Sequence, residues 1–158
     1  MAPSSARAGA RSTRYTRIVA YFADLTPYSY GNPSSRDEPW PGLPLVNIGW
    51  LDADHSFATG LLPDGLLERL EELAKVRVRQ SRGEHHCELC IRDLGGEAYF
   101  RRLEPATRNR ELQTLPRESA EFRVKGRGVV YAVPQLAIHY LAAHGYLPPE
   151  EFREAVLA

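Results

Sequence analysis

Lysine is almost missing from this chain: of its 20 basic residues, 18 are arginine and only Lys75 and Lys125 are lysine. Against 20 acidic residues the formal net charge is zero, which removes any global pull toward nucleic acid or an anionic membrane. The arginine bias, with abundant Ala, Gly and Pro, reads as the coding bias of a GC-rich genome rather than as selection for phosphate binding. Cysteine is scarce too. Two residues in 158 cannot make a disulfide framework. No apolar run approaches the roughly 20 residues of a membrane-spanning helix. There is no G-x-G-x-x-G, Walker A, H-E-x-x-H or G-x-S-x-G motif, so the commonest nucleotide, zinc-protease and serine-hydrolase signatures are missing.

No acidic residue occurs before Asp24, and Met1 to Thr16 is rich in Ala, Ser and Arg. Such a start has the composition of an organelle transit peptide and lacks the apolar region of a secretory signal. The simpler reading is a disordered tail over residues 1–13 followed by one globular domain over 14–158. The expected setting is cytoplasmic, where two cysteines are thiols or metal ligands rather than a structural disulfide.

What is present is a mixed pattern. Arg17–Phe22 is β-branched and aromatic, a strand signal. Thr26–Pro44 is a long loop with five prolines, which Tyr28, Tyr30 and Trp40 can dock onto the body. Leu45–Leu51 reads as a strand with Val46, Ile48 and Trp50 on one face. A helix starts after Pro63, with Asp64 as its cap and Leu67, Leu70 and Leu73 on its apolar side. Val76 and Val78 suggest a short strand, Glu97–Arg102 another, and polar Glu104–Arg117 a loop or insertion. Glu121–Lys125 and Gly128–Ala132 flank Gly126-Arg127 as a hairpin. Pro134 opens a nearly all-apolar helix that Gly145 ends, and Pro148-Pro149 precedes a last helix carrying Phe152 and Val156. Short, irregularly placed strands predict an α+β fold with antiparallel strands, one central helix and a C-terminal helical pair.

The chemistry concentrates in Cys87-Glu88-Leu89-Cys90. A C-x2-C pair lets both sulfurs face one centre, and zinc accepts such thiolates in a tetrahedron. His139 and His144 form an H-x4-H pair that can complete a Cys2His2 site. Positions i and i+5 diverge on a regular helix, so His144 needs a distortion of the last turn to reach the same centre. His85 and His86 are the competing ligands, and His85-x-Cys87-x2-Cys90 supplies three donors from one loop. The expected cofactor is therefore Zn2+, pinning the loop around Cys87 to the C-terminal helix.

A closed four-ligand site is structural, whereas a catalytic one keeps a position open for water. In the catalytic case Asp52, His55 and Glu88 are the candidates for handling protons. The simpler roles are a turn carboxylate for Asp52 and an exposed loop side chain for His55. The zinc-deaminase signature is not met, since His86 stands where a proline would precede Cys87. Arg77, Arg79, Arg82, Arg101, Arg102, Arg108 and Arg110, near Tyr99 and Phe100, could form a nucleic-acid face. The neutral charge favours a solvated surface instead.

Three stretches carry a resemblance. They are Gly49-Trp50-Leu51-Asp52 with His55 and Phe57, then Arg82-Gly83 with His85, Cys87, Glu88 and Cys90, and finally His139-Tyr140 through Ala143-His144-Gly145-Tyr146 and Pro148 to Phe152. With the opening Tyr21-Phe22-Ala23-Asp24, the chain resembles a family of uncharacterised bacterial proteins over most of residues 20–157. Glu84 stands where an aromatic is expected, and Arg92–Arg117 is longer than usual. The resemblance implies that Asp52, His55, His85, Cys87, Cys90, His139 and His144 belong together, and it implies no activity. The expectation is a zinc-binding accessory or regulatory protein acting through a protein partner or small molecule, with a zinc-dependent hydrolase as the alternative.

Overall fold

The computed structural model describes residues 21–30, 38–80 and 84–158. The tail over 1–13, the start of the Arg17–Phe22 strand and the Ser81-Arg82-Gly83 turn lie outside the described residues. In chain order the elements are β1 (Leu45–Asn47), α1 (Leu66–Leu73), β2 (His85–His86), α2 (Glu88–Asp93), α3 (Gly96–Arg102) and α4 (Pro105–Thr114). There follow β3 (Arg117–Glu118), β4 (Glu121–Lys125), β5 (Val130–Pro134), α5 (Leu136–His144) and α6 (Glu150–Leu157). This is an α+β fold, as the patterning predicts. No helix among the described residues is long and apolar enough to cross a membrane.

The main sheet has the order β1-β5-β4. The β4–β5 hairpin forms where the alternation places it, with Phe122 opposite Val133. On the other edge β1 runs parallel to β5, with Val46 opposite Tyr131, so the sheet is not all antiparallel. A parallel pair needs a long crossover, and α1 and everything up to β4 supply it. Phe122, Val124, Tyr131 and Val133 enter one core with Leu66 and Leu70 of α1, Leu136 of α5, and Phe152 and Val156 of α6. Tyr28, Trp50 and Ala132 form a second cluster, against which Phe22 and Tyr30 pack.

Gly49 explains why the Leu45–Leu51 strand is shorter than expected. Its φ of +73° turns the chain, so Ile48 enters the main core while Trp50 joins the second cluster; the two do not share a face. A Cβ at Gly49 would lie 2.8 Å from Ala137 Cβ. Gly49→Ala therefore combines left-handed strain with a clash against α5. It is expected to cost roughly 2–4 kcal/mol in a denaturant melt; a loss under about 0.5 kcal/mol would contradict the close approach.

Four other expectations change. The residue before α1 is Gly65, without a side-chain cap, so Asp64 does not cap it. Val76 is exposed and Val78 makes a single bridge to Glu121, so residues 76–78 are no strand. Glu97–Arg102 is helix rather than strand, and residues 105–114 are helix rather than loop. Pro105 suits the first turn of α4. Arg108 of α4 donates to the carbonyls of Phe100 (2.8 Å) and Leu103 (3.1 Å) at the end of α3.

Residues 79–120 thus leave the body and return to it. Paired amides of Val78 and Glu121, at 2.8 and 3.0 Å, close the neck of this excursion. Within it β2 pairs antiparallel with β3, and α2 packs on α3.

Candidate metal centre

The excursion returns one loop to the end of α5, and four potential ligands meet there. Cys87, Cys90, His139 and His144 each place a ligand atom within 4.8 Å of all the others. Cys87 Sγ lies 3.4 Å from His144 Nε2, and Cys90 Sγ lies 3.3 Å from His139 Nε2 and 3.4 Å from His144 Nε2. The two Nε2 atoms are 3.2 Å apart. A zinc ion with Zn–S of about 2.3 Å and Zn–N of about 2.0–2.1 Å spaces its donors at tetrahedral edges of about 3.3–3.8 Å. The four separations, 3.2–3.4 Å, lie at or just under the short end of that range, and a two-sulfur, two-imidazole set is one that zinc favours.

Local geometry brings each pair together. Cys87 precedes α2, and its sulfur accepts a hydrogen bond from the Cys90 amide at 3.3 Å. Its own amide donates to Pro116 O at 2.9 Å, fixing the loop against the strand that returns. At the end of α5, Gly145 has φ +66°, and the amides of Gly145 and Tyr146 both donate to Tyr140 O. These are i→i−5 and i→i−6 bonds. They widen the last turn to a π-type turn, where residues five apart come round to one face. That is how His139 and His144 converge.

Burial sets the resting charges. The fully buried Cys87 thiol is pushed up to about 12 by desolvation, so its thiolate needs a cation beside it. His139 is held below its ordinary value by burial and then by His144. His144 is lowered by burial and by Arg92, against an opposing pull from Asp93. Both imidazoles are neutral near pH 7, the form in which histidine binds metal.

The remaining sequence candidates lie elsewhere. His85 is not in the group; its Nε2 is 3.4 Å from the Tyr30 hydroxyl. Asp52 Oδ1 accepts from the amides of Asp54 (3.1 Å) and His55 (3.0 Å) and sits 2.8 Å from His55 Nδ1. It therefore organises a turn, and the His55 ring stacks on Tyr21 at 3.7 Å. Glu88 Oε2 accepts from the Ala53 amide at 3.2 Å, so it ties that turn to α2. Among the arginines read as a basic face, Arg101 pairs with Glu97, Arg79 with Glu38, and Arg108 bonds carbonyls.

One polar assembly was not anticipated. Arg123 donates to both Glu38 oxygens (2.7 and 2.8 Å) and to Glu121 (2.7 Å), almost wholly buried. Tyr28 donates to Glu121 at 2.9 Å, and the guanidinium carbons of Arg79 and Arg123 lie 5.6 and 5.3 Å from its ring centre. The loop prolines and Tyr28 hinted that something docks there. Alternating charge in β4 reads as a wet face, so the sequence hid the partners.

Fold and site together define a small α+β protein with a Cys2His2 cluster that can hold a metal ion. The chain belongs to the family described as Domain of unknown function (DUF7919), whose family model matches residues 20–157. Neither the curated proteins nor the solved structures yield a match.

Proposed function

We propose that the chain is a zinc protein whose centre is structural, and that it acts as an accessory or regulatory protein through a partner rather than by catalysis. The carrying observation is the set of four donors, Cys87, Cys90, His139 and His144, whose ligand atoms all lie within 4.8 Å of one another. Four protein ligands leave no position for water, which a hydrolytic zinc requires. The groups that would handle protons in a hydrolase, Asp52 and Glu88, are engaged in the 52–55 turn instead. A reduced thiolate pair suits a cytoplasmic setting.

The test is metal analysis of the untagged chain beside Cys87→Ser and His139→Ala. About one zinc per chain, lost in both variants, is expected, because either change removes one of four donors. Metal that survives His139→Ala at full stoichiometry would overturn the link to α5. Iron in place of zinc would overturn the metal assignment. Catalysis is tested separately: X-ray absorption showing a coordinated water would reopen the hydrolase reading.

A further inference from the structure

Beside the metal centre, a cleft opens between the β2–β3 ribbon and the end of the main sheet. Tyr30, Trp50, His85, Glu118, Leu136 and Tyr140 line it, and its volume is about 50 Å³. That is room for about three or four waters, or one small ligand. We propose that this cleft binds a small organic cation, an amine or guanidine on a short apolar stem, with Glu118 as its counter-ion.

The sign of the ligand follows from the charges at the walls. Arg79 and Arg123 are matched by Glu38 and Glu121 within one network, so those four cancel. Glu118 remains. It is half-buried, and its carboxylate has no hydrogen bond or ion pair among the described residues. The cleft thus carries one excess negative charge beside low-dielectric walls, where an incoming cation is attracted and an anion repelled.

The walls favour the same class. Tyr30 and Trp50 rings stand 5.2 Å apart at 50° and border the cleft, and aromatic faces stabilise an ammonium or guanidinium group. Leu51, Pro134 and Leu136 offer carbon to a short stem. The cleft and the metal centre share a wall, since His86 directly precedes Cys87. The cation site nevertheless stands on Glu118 and the aromatic pair, and does not rest on the metal.

The test is a titration of the full-length chain with ethylammonium, followed by NMR at the Trp50 indole and the Ser119 and Glu121 amides. It is run near pH 8, where ordinary histidines are neutral. Propionate is titrated as the anion of matching size, and Glu118→Gln as the variant. Saturable shifts with ethylammonium, weakened at least about tenfold in Glu118→Gln and not produced by propionate, are expected. Shifts that never saturate, equal binding of propionate, or an unchanged affinity in Glu118→Gln would each overturn the proposal. Glu118→Gln removes a half-exposed charge, so retained native amide dispersion separates lost binding from lost fold.

Discussion

Stripping the metal is expected to free residues 84–118 while the main sheet and α1, α5 and α6 stay folded. The excursion makes most of its contacts with itself, β2 on β3 and α2 on α3. α4 buries no residue. The ties of the excursion to the body beyond the neck include buried Cys87 and Leu89, the Glu88–Ala53 bond, the Tyr30–His85 contact and the Cys/His centre. Cys87 and Leu89 belong to the main core cluster, yet most of that cluster, from Leu66 and Phe122 to Phe152, lies outside the excursion. Structural zinc contributes about 10–16 kcal/mol in finger peptides, and even a third of that would lower the melting temperature on the order of 10 °C here. Hydrogen exchange after chelation should therefore show protection lost across α2–α4 and retained in β4 and β5. Unchanged protection in α2 would mean that the metal does not hold the excursion. Collapse of the whole exchange pattern would mean that the core cannot stand without it.

Arg123→Ala should be among the most damaging single substitutions in the body of the fold. The side chain is 1% exposed and joins Glu38 and Glu121, themselves about as buried. Its removal leaves two carboxylates in a dry site, a loss of about 3–5 kcal/mol. For a chain of this length, that lowers the melting temperature by about 10 °C. Glu38→Gln should be milder, because Arg123 keeps Glu121 as a partner. Burial alone would raise the Glu38 carboxyl, but hydrogen bonds from Arg123 and then Arg79 hold it below its ordinary 4.5. Its stabilisation is full above that value and fades as pH falls through the lower folded one. Glu121 runs the other way. Burial outweighs Arg123 and raises it, so its contribution is present in acid and lost as pH rises through its folded value. A thermal melt of Arg123→Ala within a degree or two of the parent would show that the network is dispensable.

The Cys/His cluster was legible because its chemistry is local: C-x2-C announces itself, and two histidines on one helix can be counted. What spacing could not show was the π-type turn at Tyr140–Tyr146, which a sequence holding only Gly145 as a hint does not specify. The C-terminal helices were readable from Gly145 and Pro149, although Pro134 ends β5 and α5 opens at Leu136 instead. α3 and α4 were not. Tyr99-Phe100 looks β-like in a short window, and α4 has no apolar face to give a period. Trp50 was assigned to the wrong face because a period-two count assumes that no residue between Ile48 and Trp50 leaves the extended region, and Gly49 does. The buried pairing of Glu121 with Arg123 was not legible for a related reason. Alternation tells which side a residue faces, not whether a distant loop covers that side with Glu38 and Tyr28.

The order of the ligands along the chain also has a consequence for how the molecule is made. Cys87 and His144 are 57 positions apart, and between them lie α2 to α4, β3 and the β4–β5 hairpin. During synthesis the two thiols emerge well before either imidazole, and His144 faces them only after α5 has docked and its last turn has opened. A tightly held ion therefore arrives at the end of folding, not at its start. Metal occupancy in a cell would count finished molecules, and a chain stalled before α5 would be marked by two unoccupied thiols.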